Sequence, residues 1–349
     1  MTSRLFRFRP SALSRPRKLP KISNRARLIT SGANIDDLVE EGDELLDISA
    51  FGNYNLALPE DPYREGVSHI VPALVPHSVE RPPYAISTSE SVDPRPNVVE
   101  DLDMKHLGMR HAGLIAALAL RKAGQIIQPG VTTKAINDLV HDTIIGHRAY
   151  PSPLLYKGFP MSCCTSVNNV LAHGIPDERP LEDGDIVNVD VTVYKDGWHG
   201  DTSKTFLVGN VDQQGRELVQ ATEEALMAGI AACGPGVPFR EVGRTIATYV
   251  QNYAGISVSP DFLGHGIGRN FHQEPWVSHT ENDSESVMKV GDYFTIEPVL
   301  VQGMDTSGWL LPDGWTVLSE TGARGAQAEH TIGITENGAE IMTRPDTTT

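Results

Sequence analysis

Asp185-Ile-Val-Asn-Val-Asp-Val-Thr-Val193 is the stretch from which the fold can be read. Successive side chains of a strand point to opposite sides, so Val187, Val189, Val191 and Val193 share one face and Asn188, Asp190 and Thr192 share the other. An acid in the middle of so valine-rich a strand is costly to bury unless it pairs or meets a metal ion. Asp190 is therefore the first candidate functional residue.

Working outward, Asp201 follows in His199-Gly-Asp-Thr-Ser203, where Gly200 lets another backbone come close. A second region has the same character. Thr295, Glu297 and Val299 share a face in Phe294-Thr-Ile-Glu-Pro-Val299, and Glu329 stands just before His330-Thr-Ile-Gly-Ile334. Taken singly, an acid on a strand is more often a solvated surface residue. Four of them, each inside an apolar or glycine-containing strand, point to one shared site. His265 adds an imidazole in Gly264-His-Gly-Ile-Gly-Arg269. That segment lacks the GxGxxG spacing and a basic setting, so it is a weak phosphate loop. Four carboxylates and one histidine, mostly hard oxygen donors, suit two divalent ions such as Mn, Fe, Co or Zn. Such a pair activates a water and polarises a carbonyl.

The periodicity around these residues predicts helices and strands in a repeated order. Met104, Leu107, His111, Leu114, Ile115 and Leu118 recur at helical spacing, with Gly124 near the end, and Thr132 or Thr133 can cap a second helix reaching about His147. Strands are expected over 162–171, 185–194 and 202–208. A second helical pair is expected over about 215–233 and 238–253, then strands over 293–301, 315–320 and 326–335. Two helices then strands, twice over, implies an α+β fold with helices on one side of an antiparallel sheet. It also suggests two pseudo-equivalent halves, though no sequence repeat is visible. The apolar run 112–120, bounded by His111 and Arg121, is too short to cross a membrane and reads as a buried helix face.

The 349 residues and 40% hydrophobic content allow one large domain or two modest ones. Cys163, Cys164 and Cys233 cannot form a disulfide framework or a CxxC zinc module. Residues 36–97 are rich in proline, carry no sustained period, and read as an extended arm or linker on the domain surface, with the catalytic domain at 98–345. Residues 1–35 hold nine of the 29 Lys and Arg and none of the 45 acids, with Ser and Thr interspersed, which is the signature of an organelle transit peptide. Without them the remaining charge is 29 − 9 − 45 = −25, a balance that repels nucleic acid.

The ordered motifs resemble those of the methionine aminopeptidases: Ser166-Val-Asn-Asn-Val-Leu-Ala-His173-Gly-Ile-Pro, Asp185-Ile-Val-Asn-Val-Asp190-Val, His199-Gly-Asp201-Thr-Ser, Gly264-His265-Gly-Ile-Gly-Arg, Phe294-Thr-Ile-Glu297-Pro and Gln327-Ala-Glu329-His330-Thr. They span about Val98 to Arg344. His265 and Glu297 stand close in sequence, without a long helical insertion, so the chain looks like the type I form. It lacks a cysteine-rich leader, and its basic N-terminus makes it most similar to the mitochondrial enzymes.

That resemblance implies a pita-bread fold with two pseudo-symmetric halves. It implies that Asp190 chelates one metal ion, that Asp201 and Glu329 bridge both, and that His265 and Glu297 complete the other, the ions being Co, Mn, Fe or Zn. Glu297 would also move the proton from water to the leaving amine. His173 and His272 would hold the substrate. Tyr156, Phe159, Cys164, Phe271 and Trp315 would line the methionine pocket. Phe159 stands where tyrosine is frequent and Ala172 where cysteine is frequent, which leaves the catalytic set untouched. The implied partners are N-termini of nascent or newly deformylated polypeptides met by a monomer, with no nucleic acid and no membrane span. Two other readings share the fold. An X-Pro aminopeptidase or prolidase usually carries a folded N-terminal domain, which the proline-rich segment does not resemble. A non-catalytic binding protein would have lost ligands, and all five are present.

Overall fold

The computed structural model describes residues 48–59, 62–86 and 101–344; the expected transit peptide at 1–35 lies outside them, as do 36–47, 60–61 and 87–97 of the expected arm. The Asp101 carboxylate accepts the Asp103 N–H and so caps helix α1 (Leu102–Ile126), and Thr132 accepts from the Ala135 N–H to cap α2 (Thr133–Gly146). Not all of the apolar residues at helical spacing in α1 are buried. Met104 and Leu107 are 65% and 62% exposed, whereas Ala112, Ala116, Ala117, Ala119 and Ala123 are buried with Ile115 and Leu120. The run 112–120 is thus the buried face, and small residues form it because the sheet lies close. A Cβ on Gly200 would sit 2.4 Å from the Gly113 nitrogen.

The strands β1 (Tyr150–Pro151), β2 (Cys164–Val167), β3 (Val170–Ala172), β4 (Ile186–Lys195) and β5 (Trp198–Leu207) follow. Asp212 caps α3 (Gln213–Ala231), and α4 (Arg240–Val250) comes next. The chain then forms β6 (Ile256–Val258), β7 (Leu263–Gly266), β8 (Gln273–Ser278), β9 (Tyr293–Ile296), β10 (Val299–Gln302), β11 (Gly308–Leu310), β12 (Val317–Ser319), β13 (Gly325–Gln327), β14 (Glu329–Thr335) and β15 (Gly338–Ile341). Among the described residues the main sheet runs β1-β4-β5-β14-β9-β7-β8, with β2 beside β4 and β15 beside β14; β13-β10-β6 and β11-β12-β3 form two smaller sheets. All the pairings are antiparallel.

Each half has its own core. The four β4 valines pack under α1 and α2, and Phe294, Ile296, Ile332 and Ile334 pack under α3 and α4. Each such burial contributes roughly 1.5–3 kcal/mol, which fixes the opposite, polar face of these strands toward the middle of the molecule. The halves join where β5 meets β14, Ser203 opposite Glu329 and Thr202 opposite His330. Threonine hydroxyls brace this seam. Thr331 Oγ1 accepts from the Asp201 N–H and donates to the Asp201 carbonyl, and Thr202 Oγ1 donates to the Glu329 carbonyl.

Three expected strands are broken. The 162–171 run turns at Asn168, whose φ is +49°, and the 293–301 run is interrupted at Glu297-Pro298. The 326–335 run splits at Ala328. The described parts of the proline-rich segment contain no strand or α-helix, only short turns at Ser49–Phe51 and Pro83–Ala85, and they lie against the rest of the chain. The Ala57 N–H donates to Asn169, the Asn55 carbonyl accepts from Asn168, and His141 Nε2 is 3.3 Å from the Leu74 carbonyl. No helix among the described residues is long and apolar enough to cross a membrane. The three thiols are free; Cys163 packs in the first core while its neighbour Cys164 faces the other side.

Candidate metal centre and substrate cleft

The polar faces of the central strands converge on one cleft that spans the seam. All twelve candidate side chains line it. Asp190, Asp201, His265, Glu297 and Glu329 are there with His173 and His272, and so are Tyr156, Phe159, Cys164, Phe271 and Trp315. Asp190 and Asp201 come from the β4–β5 hairpin, where Thr192 is paired with Asp201 and Asp190 with Ser203. Glu329 opens β14, His265 sits in β7, and Glu297 stands just beyond the end of β9. Acids far apart in sequence meet because a strand from each half meets at the seam.

Two of the carboxylates, Asp201 and Glu297, are oriented by neighbouring donors. Thr192 Oγ1 donates to Asp201 Oδ1 at 2.7 Å. Thr295 Oγ1 donates to Glu297 Oε1 at 2.8 Å, and Gln327 Nε2 donates to Oε2 at 3.2 Å. The Glu297 N–H donates to His279 Nε2, whose Nδ1 faces the Phe262 carbonyl at 3.1 Å. His265 Nδ1 lies 3.1 Å from the Gly266 carbonyl, and its Nε2 lies 3.5 Å from Glu297 Oε1 and 3.7 Å from Asp201 Oδ2. A backbone acceptor on Nδ1 leaves the Nε2 lone pair directed at the acids.

The electrostatics fit a cation. Burial pushes all four carboxyls above their ordinary values, and mutual repulsion adds to it, Asp190 acting on Asp201 and Asp201 on Glu329. Burial also lowers His265 to about 4, so its imidazole is neutral at neutral pH. Donor atoms of Asp201, His265 and Glu329 lie within 4.8 Å of one another. Buried acids of like charge around a neutral imidazole are poorly stable alone and well suited to divalent cations, whose charge offsets both penalties.

The remaining lining is aromatic. Phe159 meets Trp315 edge-on at 5.0 Å, with Cys164 and Met161 in the same cluster. Tyr156 packs on Phe271 at 4.7 Å and stacks on His272 at 5.2 Å, its hydroxyl 3.1 Å from His272 Nδ1. His173 holds φ = +57°, a left-handed conformation rare in non-glycine residues and concentrated at functional sites. Burial lowers His173 to about 4, and burial with the nearby His265 lowers His272 well below its usual value. Sequence reasoning missed His279, which orients the Glu297 backbone. It also missed Pro153 in the wall and Tyr84, which reaches the site's edge from the proline-rich segment. Gln327 and Thr192 lay inside quoted motifs without an assigned role, while His279 and Tyr84 carried no local signal.

Comparison with known proteins agrees with this geometry. The model of metallopeptidase family M24 matches residues 108–336. A relative from Danio rerio named "Methionine aminopeptidase 1D, mitochondrial" is 48% identical over 272 residues, covering 77% of this chain and 79% of its own length. "Methionine aminopeptidase 1B, chloroplastic" from Arabidopsis thaliana is 47% identical, covering 78% and 73%. The crystal structure of methionine aminopeptidase from Rickettsia prowazekii superposes with a TM-score of 0.68 at 43% identity, covering 69% of this chain and 98% of that one.

Proposed function

The chain belongs to metallopeptidase family M24 and, within it, to the type I methionine aminopeptidases, and from that premise we propose that it removes the N-terminal methionine of polypeptides whose second residue is small. The observation that carries this reading is the convergence of four buried carboxylates and a neutral imidazole at an aromatic, thiol-lined cleft.

Asp190, Asp201, His265, Glu297 and Glu329 hold two divalent ions in this reading, drawn from Co, Mn, Fe or Zn. When bound, the ions supply Lewis acidity toward water and the scissile carbonyl. Glu297 is the proton carrier. Its oxygens are oriented by Thr295 and Gln327, and its raised pKa suits taking a proton from water and returning it to the leaving amine. The Tyr156 hydroxyl lies 3.1 Å from His272 Nδ1; in this reading it donates there, which leaves the imidazole proton on Nε2 to reach the substrate carbonyl. His173 holds the substrate beside it. Tyr156, Phe159, Cys164, Phe271 and Trp315 enclose the unbranched methionine side chain. The chain works as a monomer in which 98–345 is the catalytic domain and 36–97 an arm.

Hydrolysis of three peptides tests this. Protein reconstituted with Mn, Co or Fe is expected to cleave Met-Ala-Ser well, and Met-Lys-Ser and Ala-Pro-Ser poorly, since a misfit in such a pocket costs about 10- to 200-fold. Chelation should abolish the activity and metal should restore it. Preference for Ala-Pro-Ser would instead mark a proline-specific peptidase, and full activity in a metal-free sample would overturn the mechanism.

The site of action is proposed to be mitochondrial. Support comes from the basic, acid-free residues 1–35 and from the name of the Danio rerio relative. Fused to a reporter, residues 1–35 should carry it into mitochondria, and neutralising Arg4, Arg7, Arg9 and Arg15 should stop import; a reporter left evenly in the cytosol refutes this. Formyl-methionine there would first need deformylation, because the site requires a free amine.

A further inference from the structure

The turn that presents Tyr156 to the cleft uses left-handed backbone at two residues that carry side chains. It is entered through Leu155 at φ = +65° and continues through Lys157 at φ = +50°, and neither is glycine. Backbone held in the left-handed region by residues with side chains persists only where neighbouring structure over-determines it. Within the turn, the Tyr156 N–H donates to the Pro153 carbonyl, the Phe159 N–H donates to the Tyr156 carbonyl, and the Lys157 ammonium lies 5.3 Å from the centre of the Tyr156 ring.

Further support comes from the proline-rich segment. Tyr84, in the short turn Pro83–Ala85, meets the Tyr156 ring edge-on at 5.0 Å and lies nearly parallel to His199 at 6.3 Å. Its hydroxyl donates to the Ser152 carbonyl at 2.7 Å. Ser152 in turn donates its N–H to the Thr192 carbonyl and pairs its hydroxyl with His199 Nδ1 at 2.8 Å. Farther back, the same segment places Ile70 against the Phe159–Cys164–Trp315 wall and ties the Gly66 N–H to the Pro312 carbonyl. The segment therefore touches both aromatic sides of the cleft from behind.

We propose that this arm is a working part of the substrate site, with Tyr84 a positioning residue that acts through Tyr156 on His272. One edge-on pair and one stacked pair connect Tyr84 to an imidazole that lines the cleft. If the Tyr84 ring is lost, the Tyr156 turn can relax, its hydroxyl leaves Nδ1, and His272 loses both its orientation and its tautomer. Tyr84 meets the central strands at the His199 ring but makes no hydrogen bond or ring contact with a proposed metal ligand, so metal binding should persist. This inference rests on the aminopeptidase reading.

The test uses the full chain loaded with a single kind of divalent metal, Mn, with Met-Ala-Ser as substrate. Tyr84→Ala should lower kcat by about 10- to 100-fold, the range expected for a misplaced catalytic group, while KM moves less than about threefold and metal content is unchanged. Tyr84→Leu, which keeps apolar bulk but offers no flat ring, should behave the same way, and Tyr84→Phe should recover most of the rate. In a His272→Ala background, Tyr84→Ala should cost little more, because the group it positions is already gone. Wild-type kcat in Tyr84→Ala and Tyr84→Leu overturns the inference alone. A loss that multiplies in full onto His272→Ala also overturns it, since a general structural defect behaves that way. A wild-type chain that does not cleave Met-Ala-Ser overturns the functional reading, and the inference with it.

Discussion

At the scale of single residues, the cleft is held in shape by hydroxyls and amides that touch the acids without being acids. Thr192 is the clearest case, being fully buried with its hydroxyl on Asp201 Oδ1. That hydrogen bond favours the charged carboxylate, against burial and the repulsion from Asp190, which both push the Asp201 pKa up. Thr192→Val keeps the shape and removes the donor. Protons then compete more strongly for Asp201, so metal affinity should fall, by about 10- to 100-fold as for other partners of metal ligands. The sign of the pH effect follows. Losing a bond to the anion raises the carboxyl pKa further, so the variant's defect should be largest at low pH and shrink as pH rises. Metal titrations across pH 6 to 8 check this, and a defect independent of pH would contradict it.

At the scale of elements, what the sequence discloses depends on how a segment packs. β4 was legible because one face lies under two helices and the other faces a polar cleft, so alternation survives in the residue types. α3 and α4 were legible to within two or three residues for the same reason. β7 and β8 left no trace. Leu263-Gly-His-Gly266 has no alternation because its glycines admit neighbouring backbone, a Cβ on Gly264 falling 2.2 Å from the Thr295 carbonyl oxygen. Gln273–Ser278 holds a proline and three polar residues and pairs only with β7. In α1 the run 112–120 was legible as a buried stretch, while Met104 and Leu107, at the same helical spacing, are exposed near its start. The site itself was more legible than the strands carrying it, since buried acids are rare enough to stand out, whereas His279 and Tyr84 serve through contacts no local pattern reveals.

At the scale of the whole molecule, one buried cation ties together parts distant in sequence. Arg324 is fully buried; its Nη2 donates to the Phe51 carbonyl and to Asp212 Oδ1, its Nε donates to Gln302, and its guanidinium lies 4.4 Å from the centre of the Tyr54 ring. Asp212 in turn caps α3 through the Gly215 N–H and accepts the Asn53 N–H. The start of the arm, a helix of the second half and strand β10 are thus joined at one ion pair. Arg324→Met should destabilise the protein by on the order of 2–3 kcal/mol, since charged hydrogen bonds are lost and buried acceptors are left bare. Asp212 keeps some contact with water, which holds the loss below that of a fully buried pair. Burial raises the Asp212 carboxyl, but the hydrogen bond and charge of Arg324 with the two N–H donors outweigh it and hold the pKa below its ordinary value. A carboxyl whose folded pKa is depressed contributes stability that is present above the unfolded value, about 3.9, and is lost as pH falls through the folded one. Urea midpoints should therefore separate wild type from Arg324→Met at pH 7 and bring them closer as pH drops below about 4. Limited proteolysis adds the spatial test. If the clamp fastens the arm, Arg324→Met should open new cleavage between residues 48 and 59 before the catalytic core is cut; cleavage spread evenly over the chain would make Arg324 a plain core residue.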